Sequence, residues 1–282
     1  MSLEFSKYHG LGNDFILIDN RDTLALKVTP EQAVVMCDRN FGIGADGIIF
    51  LLPASTADTD YTMRMFNSDG SVAEMCGNGI RCLAKFIKDL GAPFPEGKGN
   101  QYRISTLAGV ITPELLDNGQ IRVDMGIPAL EAATIPTTLV AADLKVIDCP
   151  LEVGDQTWQV TCVNMGNPHC VTFVEDVAAI PLETIGPMFE HHPTFPMRTN
   201  TEFIQVMAPD YLKMRVWERG AGATLACGTG ACASLVAGVL TDRCQRQATV
   251  ELPGGKLEIE WSELNQRLYM TGPAELVFTG KM

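Results

Sequence analysis

Residues 66–79 read FNSDGSVAEMCGNG, and residues 217–230 read WERGAGATLACGTG. Both stretches carry an aromatic residue, then a polar one, and nine positions after that a Cys-Gly-x-Gly group in the same register. Phe66 thus aligns with Trp217, Asn67 with Glu218 and Cys76 with Cys227. Upstream, Asn13 precedes Cys76 by 63 residues and Asn167 precedes Cys227 by 60, each asparagine following a glycine. A single CGxG is a weak signal, but three features at near-equal spacing describe a duplicated unit, and a duplication decides the architecture.

A helical pattern follows each CGxG. Ile80, Leu83, Ala84, Ile87 and Leu90 recur at helical spacing, and Gly91 with Pro93 closes the segment. In the second copy, ACASLVAGVL (231–240) is apolar nearly all round, the mark of a helix enclosed on every side. Such a helix needs a wrapper, and short alternating stretches supply one. FILID, GIIFLL, YTMRMF and YRIST lie in the first half, and WQVTCV, CVTFV, TEFIQV, YLKMRVWE, ATVEL and KLEIEW in the second, with turn signals such as Asp69-Gly70 and Pro253-Gly254-Gly255 between strands. The expected class is α+β, with two pseudo-symmetric domains, each a curled, mostly antiparallel β-sheet or barrel around a central helix. Gly126 and Pro128 break the pattern, so the domains are expected at 1–125 and 126–270, with ELVFT carrying 271–282 back to the first.

Composition narrows the function. A net charge of −13 with scattered basic residues argues against nucleic acid and against an anionic membrane surface. The longest apolar run is too short to span a bilayer, and the N-terminal stretch lacks the basic-then-apolar order of a leader, so a cytoplasmic protein is expected. Nine cysteines is an odd number without paired CxxC spacing, which fits a reducing compartment better than a disulfide framework. His169-Cys170 is the nearest approach to a metal-ligand pair and reads as part of a strand, so no metal is expected.

Cys82, Cys162 and Cys232 sit in apolar patterns and read as small core residues, and Cys37, Cys149, Cys170 and Cys244 lack distinguishing context. Cys76 and Cys227 differ, because each stands at a helix start beside glycine. The unpaired N–H groups of a first helical turn favour anions. A thiol placed there is expected to ionise below its free value of about 8.5, and the glycines let a ligand approach the backbone. One thiol from each half, expected to face each other across a cleft, suits inversion of a stereocentre: one group removes an α-proton while the other returns a proton to the opposite side. The two ionisations would be coupled, and neither metal nor cofactor is required.

The chain closely resembles the diaminopimelate epimerase family. HGLGNDF (9–15), RNFGIGADG (39–47), FNSDGSVAEMCGNGIRC (66–82), MGNPHCV (165–171), TN (199–200), WERGAGATLACGTGAC (217–232) and LPGG (252–255) occur in the family's order. The resemblance implies a cofactor-independent epimerase interconverting LL- and meso-diaminopimelate in lysine synthesis, with Cys76 and Cys227 as the acid/base pair. It assigns Gly77, Asn78, Gly228 and Thr229 to the reacting carboxylate. Asn13, Asn67, Asn167, Asn200, Glu218 and Arg219 match residues that bind the substrate's amino and carboxylate groups, and His169 with Glu218 would tune catalysis. Some members carry glutamine where this chain has Gly47, so a contact with the substrate's far end is expected through the backbone or not at all. A homodimer is also implied. The competing readings are a proline or hydroxyproline racemase of the same fold, a redox sensor joining Cys76 to Cys227, and a small-molecule binding module.

Overall fold

The structure is a computed structural model that describes residues 2–282. In chain order its elements are β1 (Glu4–Gly10), β2 (Asn13–Asp19), α1 (Pro30–Cys37), β3 (Gly47–Pro53), β4 (Tyr61–Asn67), α2 (Gly77–Asp89), β5 (Ile104–Thr106), β6 (Gly109–Ile111), β7 (Glu114–Leu115) and β8 (Ile121–Gly126). They continue with β9 (Cys149–Val153), β10 (Gln156–Asn164), β11 (Pro168–Phe173), α3 (Leu182–Glu190), β12 (Asn200–Ala208), β13 (Tyr211–Glu218), β14 (Gly222–Ala223), α4 (Gly228–Leu240), β15 (Gln247–Leu252), β16 (Gly255–Trp261), β17 (Leu268–Gly272) and β18 (Glu275–Lys281). The chain divides into two compact units, Met1–Asp124 with Thr271–Met282, and Met125–Met270.

In the first unit seven strands follow the order β18-β1-β2-β3-β4-β5-β6. The β2–β3 and β4–β5 pairs are parallel and the other neighbours antiparallel. Near-continuous apolar runs in β2 and β3 bury both faces: Ile16, Ile18, Ile48, Phe50 and Leu52 pack with Val28, Ala33 and Met36 on one side. On the other side α2 crosses β1, β2 and β3. Its Ile80, Cys82, Leu83, Ala84 and Ile87 are wholly buried, in line with the helical spacing of the sequence.

In the second unit the strands run β17-β16-β15-β13-β12-β11-β10-β9, with β14 paired to the end of β13. Here β11–β12 and β13–β15 are parallel. Helix α4 lies against β10, β11, β12, β15 and β16. From Ala231 through Ala237 it is fully buried, which is why its sequence shows no polar face. The opposite layer is built by α3 and by aromatic contacts among Trp158, Phe189 and Phe203. Both units are mixed α+β and sheet-rich, as the sequence led one to expect. The barrel alternative does not hold: each sheet is an open ladder with end strands, and no pairing among the described residues closes it.

Helix α3 escapes a periodicity reading because Gly186 and Pro187 sit inside it. The glycine has a packing reason. A Cβ at residue 186 would lie 2.4 Å from Trp217 Cδ2, so the helix approaches the indole face only because no side chain intervenes. Gly186→Ala should therefore cost about 1–3 kcal/mol through overpacking, measured by urea unfolding; an unchanged midpoint would show that the indole moves aside freely.

Candidate functional site

Each unit carries its own cluster of the residues singled out in the sequence. In the first, Cys76 caps the N-terminus of α2 in an extended conformation, and its sulfur accepts the Gly79 N–H at 3.4 Å. Asn13, at the start of β2, lies beside it. The Asn13 Oδ1 accepts from Asn78 Nδ2 at 3.1 Å and is 3.8 Å from Cys76 Sγ. Asn13 is itself aimed from behind, since its Nδ2 donates to Asp46 Oδ2 at 2.6 Å. Arg39 bridges Asp46 and Asp14, and Lys7 pairs with Asp14 at 2.8 Å. Burial alone would push the Asp14 carboxyl up, but the hydrogen bonds from Arg39 and Lys7 outweigh it and hold the group below its ordinary 3.8.

Arg81, fully buried, closes this cluster from the helix side. It donates to Asn78 Oδ1 at 3.0 Å, to the Gly77 carbonyl at 3.3 Å and to the Pro273 carbonyl at 3.2 Å. Asn67 and Gly47 are cross-strand partners on β4 and β3. The Asn67 amide donates to Ser71 Oγ at 2.9 Å within its turn. Gly47 is buried, and a Cβ there would meet the Phe66 carbonyl oxygen at 2.5 Å. A glutamine at 47 would thus have to part β3 from β4, so residue 47 offers a ligand only backbone.

The second cluster is more heavily charged. Cys227 caps α4, with Thr229 Oγ1 3.6 Å from its sulfur. Glu218, ending β13, accepts from Thr224 Oγ1 at 2.5 Å. Burial pushes its carboxyl up, partly offset by Thr224 and by Cys227. His169 on β11 is fully buried, with Nδ1 2.6 Å from Glu202 Oε1 and Nε2 2.9 Å from Asn167 Oδ1. Asn200, next to His169 across the parallel β11–β12 pair, spends its amide on backbone: Nδ2 donates to the Pro168 carbonyl and Oδ1 accepts the Arg219 N–H. Arg219 projects outward, donating to the Met197 carbonyl at 3.0 Å.

The expectation that a helix-start thiol ionises easily fails at Cys227. Burial first, and then the charges of Glu218 and Glu202, push this thiol well above its ordinary value, while Thr229 and the Gly230 amide pull only weakly the other way. A helix dipole is a fraction of one charge and cannot match two nearby carboxylates together with desolvation. Burial and the neighbouring carboxyl groups both favour the thiol form of Cys227.

Several residues of these clusters were not singled out in the sequence. Asp46 and Arg81 lie inside quoted motifs, where their neighbours drew attention instead. Glu202 sits in TEFIQV between residues buried on both faces, and a carboxylate in such a strand is a signal in itself. Glu190 gave none: at the end of α3 it accepts from Trp217 Nε1 at 2.7 Å and from the Gly220 N–H at 3.0 Å, gripping both sides of Glu218-Arg219.

Solved structures place this arrangement in a known fold. A Bacillus anthracis phenazine biosynthesis protein of the PhzF family superposes with a TM-score of 0.70 at 14% identity, covering 100% of this chain and 99% of that one. A hydroxyproline epimerase from Agrobacterium vitis, solved with bound trans-4-hydroxy-L-proline, gives 0.67 at 12% identity, with coverage of 100% and 92%. At such identities the likeness concerns the fold alone. Sequence relatives go further. Diaminopimelate epimerase 1 of a Nostoc species is 73% identical over 100% of both chains, the Nostoc punctiforme enzyme 70% over 100% of both, and that of Rippkaea orientalis 69% over 99% of both. Residues 5–131 and 161–277 match the family described as diaminopimelate epimerase, and the chain belongs to that family of amino-acid isomerases.

The buried Asp14 carboxylate yields a pH-dependent stability. A carboxyl depressed in the folded state stabilises above its unfolded value, and that contribution disappears as pH falls through the folded one. Asp14→Asn should lower stability at pH 7 by about 1–2 kcal/mol, solvent around Arg39 screening part of the effect. The gap to the parent should close as unfolding is repeated at progressively lower pH through the carboxylate range; a gap independent of pH would contradict the ion-pair account.

Proposed function

We propose that the protein epimerises LL-diaminopimelate to meso-diaminopimelate by a two-base mechanism in which Cys76 and Cys227 serve one α-carbon. The observation that carries this reading is the repeated setting of the two cysteines: each caps a buried helix directly before a glycine, within a family whose curated relatives are diaminopimelate epimerases. Abstraction of the α-proton leaves a carbanion next to the carboxylate. The first-turn amides at Gly77 and Asn78, and at Gly228 and Thr229, supply N–H dipoles for that carboxylate and its developing charge.

The roles follow from protonation. Reaction in either direction needs one thiolate and one thiol, and Cys227, held protonated, is the proton donor when Cys76 is the base. The reverse reaction exchanges the parts, so the pair titrates as a unit. Asn13, Asn67, Asn167, Asn200, Glu218 and Arg219 form the recognition set for amino and carboxylate groups. A planar guanidinium suits a carboxylate, a carboxylate suits an ammonium, and the asparagines offer both donors and acceptors. Asn200 acts by fixing the Arg219 backbone, and Gly47 through its main chain. His169 and Glu218 tune the Cys227 side. The reaction uses no metal or cofactor, runs in the cytoplasm and serves lysine synthesis. A homodimer fits Leu276, Val277 and Phe278, which stand exposed on the end strand β18.

A racemase of the proline type shares the fold and is separated by substrate. Incubation in heavy water with diaminopimelate should place deuterium on the α-carbon, whereas proline in a parallel sample stays unlabelled. Cys76→Ala and Cys227→Ala should each reduce turnover by roughly 10²–10⁴-fold or more with thermal unfolding close to that of the parent. Wild-type turnover in either variant defeats the two-base reading.

A further inference from the structure

The duplication lets one half of the molecule serve as a control for the other. Phe15 pairs with Gly47 across the parallel β2–β3 ladder as His169 pairs with Asn200 across β11–β12. Each of these pairs starts two residues after the repeated asparagine, so Phe15 occupies the place of His169. Two residues further along the second strand stand Ile49 and Glu202. Across the next ladder Ile48 faces Phe66 and Thr201 faces Trp217, which fixes the same alignment independently.

The glycine three residues after each cysteine confirms it in space. A Cβ at Gly79 would lie 2.9 Å from Ile49 Cδ1, and one at Gly230 would lie 2.7 Å from Glu202 Oε1. Beneath the first turn of α2 there is thus a hydrocarbon pair, Phe15 and Ile49, and beneath that of α4 a histidine and a glutamate, all four buried. Glu202 Oε2 has no hydrogen-bond partner among the described residues, although it is buried. An apolar residue fills the same place in the first unit. A carboxylate held there at the cost of an unsatisfied oxygen is not needed for packing.

We propose that Glu202 is a positioning residue for epimerisation, holding His169 by its Nδ1 and placing a carboxyl group under the Cys227 turn, so that the two cysteines work in unequal settings. The inference rests on the two-cysteine reading above. Glu202 lies between His169 and the start of α4, at 2.6 Å from the ring and in contact with Gly230. The titratable groups facing it are His169 and Cys170 from β11, Glu218 from β13 and Cys227 from the cap of α4. With Nδ1 engaged, the ring keeps Nε2 directed at Asn167. The Glu202 carboxylate opposes loss of the Cys227 proton, whereas the corresponding places beneath α2 hold Phe15 and Ile49.

The test is Glu202→Gln, which preserves shape and a hydrogen-bonding group at Nδ1 but removes the charge. With diaminopimelate as substrate, kcat should fall at least about tenfold while KM stays within about threefold. Because Cys227 must be protonated to act as donor, and Glu202 helps to keep it so, the alkaline limb of the pH profile of kcat/KM should move to lower pH by about one unit. A lowered kcat with an unmoved limb, or no change in either, overturns the proposal. Should Glu202→Gln fail to fold, the double variant His169→Phe with Glu202→Ile installs the apolar pair of the first unit. That variant should fold and show the same displaced limb; a limb at the wild-type position overturns the proposal equally. Cys227→Ser in the same assay separates the two claims. If it turns over normally, the two-cysteine reading itself fails; if it is inactive while Glu202→Gln behaves as wild type, only the role of Glu202 falls.

Discussion

The first turn of each buried helix has to hold a cysteine at its cap and admit a side chain from the strand beneath, and there is no space left for a Cβ three residues on. Gly79 and Gly230 meet that constraint, with Ile49 and Glu202 pressing to within 3 Å of where a methyl would be. Much else follows from this approach. The strands under the helix must be buried on both faces, which gives β2, β3, β11 and β12 their apolar runs. The cysteine sulfurs must sit where backbone N–H groups converge, and the glycines keep that surface open to a small anion.

On this common frame the two halves have taken different chemistry. In the first unit, polar groups are arranged around Cys76 from the side: Asn13, Asp46, Arg39 and Asp14 form a chain that ends at the amide next to the sulfur. In the second, carboxyl groups lie underneath and beside Cys227, from Glu202 and Glu218, with His169 hydrogen-bonded to the first of them. An epimerase handles two mirror-related faces of one carbon, yet its surroundings need not be mirror-related. The two cysteine caps therefore stand in different surroundings, a hydrocarbon pair beneath one and a histidine with a glutamate beneath the other.

The support behind these groups is as specific as the groups themselves. Glu190 binds the Trp217 indole and the Gly220 amide, and Asn200 binds the Arg219 amide, so the segment carrying Glu218 and Arg219 is fixed from two sides. Arg81 ties the start of α2 to the carbonyl of Pro273, joining the cysteine cap to the chain's returning C-terminal segment. Such contacts restrict the side-chain freedom of the residues they hold.

Periodicity and repetition in the sequence were enough to specify the α+β class, the two enclosed helices, most of the strands and the two cysteines, because these depend on local pattern and on a register repeated within one chain. The helix α1, only eight residues long, and α3, interrupted by Gly186 and Pro187, were not legible. Openness of the sheets was decided by long-range pairing. So was the direction in which the Cys227 thiol is shifted: the glycines and helix start favour a thiolate, whereas burial and the carboxyl groups that push the other way arrive from β12 and β13. Glu202 shows the same division. Its place in TEFIQV is a sequence fact, but that its oxygen lies between a histidine and the glycine of another element is a property only of packed strands and helices, where distance through space sets the strength of a charge.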